Sequence, residues 1–226
     1  MNWVKSETLS KISGVAHGFL NRRFNGNAQD AARCFGLSKI ITLNQIHSGI
    51  VFVVKDEFKE EPEQKGDAII STQRGIGIGV FTADCVPILF VDKSASAVGV
   101  VHAGWRGTLS RIAKNTLLEI KKNFRIEPSE LYAVVGPSVG RCCYEVGEDV
   151  ASLFMDEFKE CNGYLFKKIN SKYILDLKEA NRIALVKEGV KDIEVINICT
   201  RCSREFHSYR RDGKGVGKQL SFIGLV

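Results

Sequence analysis

Several short stretches of this chain are apolar at successive positions, a pattern expected of strands covered on both faces. These runs predict strands over residues 40–43, 50–54, 68–71, 76–81, 88–91, 97–101, 131–135, 193–197 and 221–225. Between them the period changes to 3.6. Over 108–124, Leu109, Ile112, Ala113, Leu117, Ile120 and Phe124 share one helical face. Two further helices are predicted from about 148 to 160 and from 177 to about 188, the latter after Asp176, a good N-cap. This order of elements predicts an α+β (mixed α/β) fold, a large buried mixed sheet or sandwich flanked by helices.

The 226 residues show no repeat or Pro/Gly-rich linker and are expected to form a single domain, 1–226. The acidic stretch 56–63 reads as a solvated loop. The N-terminal MNWVKSETLSKISG has charges and hydroxyls where a signal peptide needs an apolar run, and no apolar run approaches membrane-spanning length. A cytoplasmic protein without a membrane partner is expected. Seven cysteines are an odd number and too sparse for a secreted disulfide scaffold. Cys34 and Cys161 lie in helix-like stretches and read as small core residues.

The formal charge is +6, and Arg201, Arg204, Arg210, Arg211, Lys214 and Lys218 concentrate it near the C-terminus. Only Phe206 and Tyr209 accompany them, too few stacking aromatics for a nucleic-acid surface, so a phosphate or nucleotide is the better partner. The tail GKGVGK is not a P-loop, because Asp212 stands at the required first glycine and Gln219 follows Lys218.

Against this background three residues stand out: His47 in LNQIHSG, Cys85 in FTADCVP and His102 in VGVVHAGWRGT. Each borders an apolar strand-like run. A thiolate and two imidazoles suit zinc, and three protein ligands with one open position characterise a catalytic site. Copper is the alternative metal, since two histidines and a cysteine also form the equatorial set of a blue-copper centre. A multicopper oxidase, however, needs more imidazoles than His17, His47, His102 and His207 supply, and the methionines Met1 and Met155 lie far from these motifs in sequence. The N–H groups opening the helix at 108, with Arg106 beside them, would make an anion site near His102.

Cys199 and Cys202 form a lone C-x-x-C without the proline and the H-x-E partner of the cytidine-type deaminases. Such a pair can be a zinc knuckle or a redox pair, but one pair without a second reads better as buried thiols at a strand end. The adjacent Cys142 and Cys143 would point apart on a strand, which implies neither a chelate nor a disulfide.

The motifs NQIHSG, GDAIIST, TADCVPILFVD, VGVVHAGWRGT, GPSVGRCCYEVG, CTRC with FHSYRRDG, and SFIGL resemble the YfiH-type laccase-domain family, from about residue 43 to the C-terminus. The resemblance implies a family first described as copper polyphenol oxidases and now regarded as zinc-dependent purine nucleoside enzymes. Their activities are phosphorolysis of adenosine, inosine and methylthioadenosine, and deamination of adenosine. It also implies metal ligands at His47, Cys85 and His102, and some members are linked to peptidoglycan editing. The N-terminal part departs from the family pattern: GFLNR ends at Arg22, the next segment is short, and Asn27–Ala28 replaces an Asn-Arg pair. If the family's arginine there contacts substrate, either this chain lacks that contact or Arg22 or Arg23 takes its place.

In the expected mechanism, Arg106 holds phosphate and Asp84 or Glu145 handles protons. Two rival readings use the same residues. One is a metal-free thiol hydrolase with Cys85 as nucleophile and His102 as its base. The other is a basic nucleotide-binding protein without turnover.

Overall fold

The computed structural model describes residues 2–54, 64–169 and 172–226. The acidic stretch 56–63 lies outside them. The chain forms a mixed α/β assembly of two stacked sheets with helices on the outer faces. One sheet has six strands in the order Asp192–Val195, Leu131–Val135, Val86–Asp92, Val98–Ala103, Ala68–Ser71 and Val51–Val54. Its inner pairs are antiparallel and its two edge pairs parallel. The other sheet has five, in the order Trp3–Val4, Val15–Leu20, Gln219–Leu225, Ile76–Thr82 and Lys39–Ile41.

This stacking explains the unbroken apolar runs. Side chains alternate across a strand. Ile88, Phe90 and Val101 therefore face the helices, while Leu89, Val91 and Val100 face the second sheet, where Phe19, Ile78, Val80 and Ile223 meet them. Helices Ile112–Phe124, Glu148–Glu157 and Leu177–Lys187 supply much of the outer layer on the six-stranded sheet. Asp176 caps the last of these, accepting the Glu179 N–H at 3.1 Å. On the far side Ala31 and Ala32 of helix Ala28–Cys34 pack on Phe222 and Leu220. Each large apolar side chain buried in these layers contributes about 1.5–3 kcal/mol.

Four expectations need correction. The helix expected over 108–124 is two helices, Trp105–Leu109 and Ile112–Phe124, because Arg111 adopts left-handed backbone at φ +56°. The strand Val15–Leu20 was not anticipated, since His17 and Gly18 interrupt its apolar run; it is nevertheless an inner strand, pairing His17 with Ile223. Cys34 is exposed, being the last residue of a helix whose buried face is two alanines. A small three-stranded sheet, Glu145–Val146, Lys172–Leu175 and Phe166–Ile169, was also missed, its strands being short and partly polar. Cys161 does pack partly buried against the core. Among the described residues no helix is long and apolar enough to cross a membrane.

His17 gives this core a pH dependence. Burial pulls its pKa from 6.5 to about 4, and its Nε2 accepts the Ser6 N–H at 3.1 Å, which requires the unprotonated ring. Between these two pH values the unfolded chain takes up a proton that the folded chain refuses. The stabilisation from this group is therefore complete above about pH 6.5 and is lost as pH falls toward about 4. The expected loss is roughly 3 kcal/mol. Denaturant titrations of the wild type and His17→Gln across that window should show a shallower acid-side decline in the variant, and equal slopes would contradict the assignment.

Candidate active site and metal centre

Strand register assembles the site. Val86 pairs with Ala103 and Pro87 with His102, so Cys85, one residue before its strand, comes opposite Gly104, one residue past the other. On the opposite side Ala68 pairs with Val101, which places Asp67 beside His102. The backbone confirms it: the His102 N–H donates to the Asp67 carbonyl at 2.7 Å. Gly104 is required here, because a Cβ on it would lie 2.9 Å from Cys85 Sγ and 3.0 Å from His47 Nδ1.

His47 comes from a separate loop and has left-handed backbone, φ +59°. A non-glycine residue holds that conformation only where its surroundings impose it, and here the Asp67 carboxylate does so. It accepts the N–H of His47 at 3.0 Å and of Ser48 at 2.6 Å, and the Ser48 hydroxyl at 2.7 Å. Its Oδ1 also lies 2.8 Å from Nδ1 of the buried His102. One carboxylate thus fixes the turn that presents His47 and the ring orientation of His102, directing Nε2 of the latter toward the site. The ligand atoms of His47, Cys85 and His102 all lie within 4.8 Å of one another.

The electrostatics follow from these contacts. Burial alone would raise the Asp67 carboxyl, but His102 and Ser48 outweigh it and hold the pKa at about 2. Burial likewise pushes the Cys85 thiol up, while hydrogen bonds and charge from His102 and His47 bring it down to about 6. For His102, burial is overcome by Asp67 and Cys85, which raise the ring to about 9. A thiolate beside two imidazoles, one oriented by a buried carboxylate, fits a borderline divalent metal such as zinc.

The cluster opens into a cavity of about 770 Å³, within the range of small-molecule sites. Phe81, Trp105, Tyr144 and Tyr209 supply aromatic surface, and Arg106, Arg210 and Lys218 supply positive charge. The exposed Arg106 lies over the Trp105 ring, 4.2 Å from its centroid. It makes no carboxylate pair among the described residues. Arg210 stacks on Tyr144 at 4.7 Å. The Gln45 amide is occupied, bonding the Phe81 carbonyl and N–H at 2.8 Å each.

Arg22 and Arg23 do not line this cavity. Arg23 pairs with Glu205 at 2.9 Å, and the Arg22 N–H donates to the Glu205 carbonyl. Neither carboxylate considered for proton transfer is free. Asp84, in a strained turn at φ +90°, accepts from Thr200 Oγ1 at 2.6 Å, Ser208 Oγ at 3.1 Å and the Arg210 N–H at 2.6 Å. Glu145 pairs with Lys172 at 2.6 Å. Sequence reasoning gave Asp67 no role, although it stands in GDAIIST; an aspartate directly before a fully apolar strand was the available signal.

The C-x-x-C and the adjacent cysteines are corrected as well. Cys142 and Cys143 lie in a turn rather than a strand, so their side chains need not diverge. Their sulfurs meet those of Cys199 and Cys202, all four lying within 4.8 Å of one another. Cys202 is exposed, not buried.

A family model described as multi-copper polyphenol oxidoreductase laccase matches residues 20–226, reaching upstream of residue 43, where the recognised motifs begin. Over 226 aligned residues the chain is 39% identical to a purine nucleoside phosphorylase of Clostridium acetobutylicum, covering 97% of this chain and 93% of that protein. It is 36% identical to adenosine deaminase RL5 of an unknown prokaryotic organism, over 84% of this chain and 75% of that one. The crystal structure of YlmD from Geobacillus stearothermophilus superposes with a TM-score of 0.89 at 27% identity, over 100% of this chain and 96% of that chain.

Replacing Asp67 tests its place at the centre of the site. In Asp67→Asn the amide keeps one acceptor but turns an N–H₂ group toward donors. The expected loss of unfolding free energy is about 3 kcal/mol, as for removing one member of a buried charged pair. Denaturant unfolding measures it, and a change within about 0.5 kcal/mol, typical of a neutral surface position, would refute the role.

Proposed function

The chain belongs to the multi-copper polyphenol oxidoreductase laccase family, and on that premise we propose that it is a zinc-dependent purine nucleoside enzyme. It cleaves adenosine, inosine and methylthioadenosine with phosphate and deaminates adenosine. The observation that carries this reading is the convergence of His47, Cys85 and His102 on a cavity with aromatic walls and a cationic rim. Purine nucleoside chemistry is in the names of the Clostridium relative and of RL5.

His47, Cys85 and His102 hold the metal, and Asp67 keeps the His102 ring in the tautomer that leaves Nε2 free to bind. Zinc bound there supplies Lewis-acid stabilisation of charge that develops on the substrate. Trp105, Tyr144 and Tyr209 offer the faces on which a purine can stack, and Arg106 and Lys218 attract phosphate. Arg106 stands beside Trp105 with no carboxylate partner among the described residues, so its guanidinium is available for an oxyanion.

Few groups here move protons. Asp84 already accepts from three protein donors, and burial raises the Tyr144 hydroxyl to about 12, outweighing the nearby Arg210. Sugar transfer to phosphate, which brings its own anion, asks less of these residues than deamination does.

Copper oxidation is the weaker reading. Among the described residues His47 and His102 are the only histidines in a metal-ligand cluster, while His17 is buried against Ser6 and Met155 packs against the core. A second reading keeps its interest because Asp67, His102 and Cys85 stand in the order of an acid, base and thiol nucleophile. Alkylation of Cys85 that zinc blocks supports the metal reading; a trapped acyl-enzyme supports the hydrolase.

Zinc-loaded protein incubated with adenosine should give adenine and ribose 1-phosphate only when phosphate is present, with inosine marking deamination. His102→Ala should give neither product. Absence of product from the loaded wild type would overturn the proposal. Arg106→Ala should raise the phosphate KM about tenfold, the loss of about 1.4 kcal/mol, at unchanged zinc content; an unchanged phosphate KM would remove Arg106 from that role. Gly104→Ala should lose bound metal although every ligand remains, because its methyl group occupies the space between Cys85 and His47. Metal analysis of the folded variant reads this directly, and full retention would contradict the geometry.

A further inference from the structure

We propose that Cys142, Cys143, Cys199 and Cys202 form a second metal site, a closed tetrathiolate centre for zinc that fixes one wall of the cavity. The four sulfurs lie within 4.8 Å of one another, and Cys202 Sγ is 3.6 Å from Cys142 Sγ and 3.3 Å from Cys143 Sγ. A tetrahedral zinc with Zn–S bonds of about 2.3 Å separates its sulfurs by about 3.8 Å, so small rotations close the set. Four sulfurs and no open position make a structural centre, in contrast to the His₂Cys set.

The local chemistry prepares these thiols as ligands. The Gly140 N–H donates to Cys199 Sγ at 3.2 Å. Two positive groups stand by to balance a doubly negative zinc tetrathiolate. Arg201 stands near Cys143, which raises the guanidinium's pKa. Lys178 is buried, and its Nζ rests on the Ile196 and Ile198 carbonyls at 3.3 and 2.9 Å rather than on a carboxylate. It lines the same groove as Cys142 and Cys199.

A disulfide fits less well. Cys202 approaches two adjacent cysteines almost equally, and pairing with either leaves two thiols behind.

The consequence for the cavity follows from the chain path. Ser138 and Cys199 form a bridge between two segments, with the Thr200 N–H on the Ser138 carbonyl at 3.0 Å. On one segment Val139 and Tyr144 flank the cysteine turn and line the cavity; on the other, Tyr209 and Arg210 follow Cys202 and line it too. A metal joining Cys142–Cys143 to Cys199–Cys202 fixes the distance between them.

The test is metal stoichiometry with the full chain, prepared under reductant and titrated with zinc or cobalt(II) alone. Wild type should bind two equivalents, Cys85→Ala one and Cys202→Ser one. Cobalt(II) in Cys85→Ala should show the intense thiolate charge-transfer and tetrahedral d–d bands of an all-sulfur site, a readout that needs no change in the cluster. One equivalent in wild type with none in Cys85→Ala would overturn the second site while leaving the first. Oxidation of Cys202 to a disulfide at saturating zinc would overturn it also.

Discussion

One buried carboxylate organises the candidate site. Asp67 is fully buried just before an inner strand, and its two oxygens take the His47 and Ser48 N–H groups, the Ser48 hydroxyl and the His102 ring. A carboxylate in that position would be costly to desolvate alone, and each of these donors reduces the cost. The same contacts give the protein two things that otherwise have separate origins: a loop held in left-handed backbone and a histidine held in one tautomer. The chemistry of Cys85 depends on it at one remove, since the imidazole that lowers its thiol is the one Asp67 orients.

Around that carboxylate the sheet acts as a ruler. Antiparallel pairing of Val86–Asp92 with Val98–Ala103, and of the latter with Ala68–Ser71, puts the ends of three strands at one edge. Cys85, His102 and Asp67 meet there because each lies within one residue of the end of its strand. These strands are buried on both faces, so a one-residue slip would transfer every side chain to the wrong layer. The core therefore holds the register, and the register holds the site.

This is why part of the site was legible in the sequence and part was not. His102 and Cys85 border long apolar runs, and strand ends are where chemistry collects in such sheets, so both could be picked out. The apolar runs themselves gave the inner strands nearly to the residue, as at Ala68–Ser71 and Leu131–Val135. Features set by tertiary contact escaped. Nothing local marks the break at Arg111, whose left-handed backbone separates two helices that share an apolar period. His17 hid a strand because a buried neutral imidazole reads as polar. Four cysteines in two distant pairs gave no local sign that a bridge at Ser138 and Cys199 brings them together.

Asp84 shows the same physics applied to the cavity wall. Like Asp67 it is a buried carboxylate, though unlike Asp67 it lines the cavity, and it accepts from Thr200 at one end of a loop and from Ser208 and the Arg210 N–H at the other. Arg211 closes that loop from inside, donating to the Thr200, Arg201, Ser203 and Phe206 carbonyls. Tyr209 and Arg210 therefore reach the cavity from a segment fixed at both ends, which limits the rearrangement needed when a ligand enters. Oδ1 takes Thr200 and Oδ2 takes the other two donors, so one side chain ties both ends of the loop to the cavity wall. Both buried aspartates thus position the groups they hold: Asp67 the His47 turn and the His102 ring, Asp84 the segment that carries Tyr209 and Arg210.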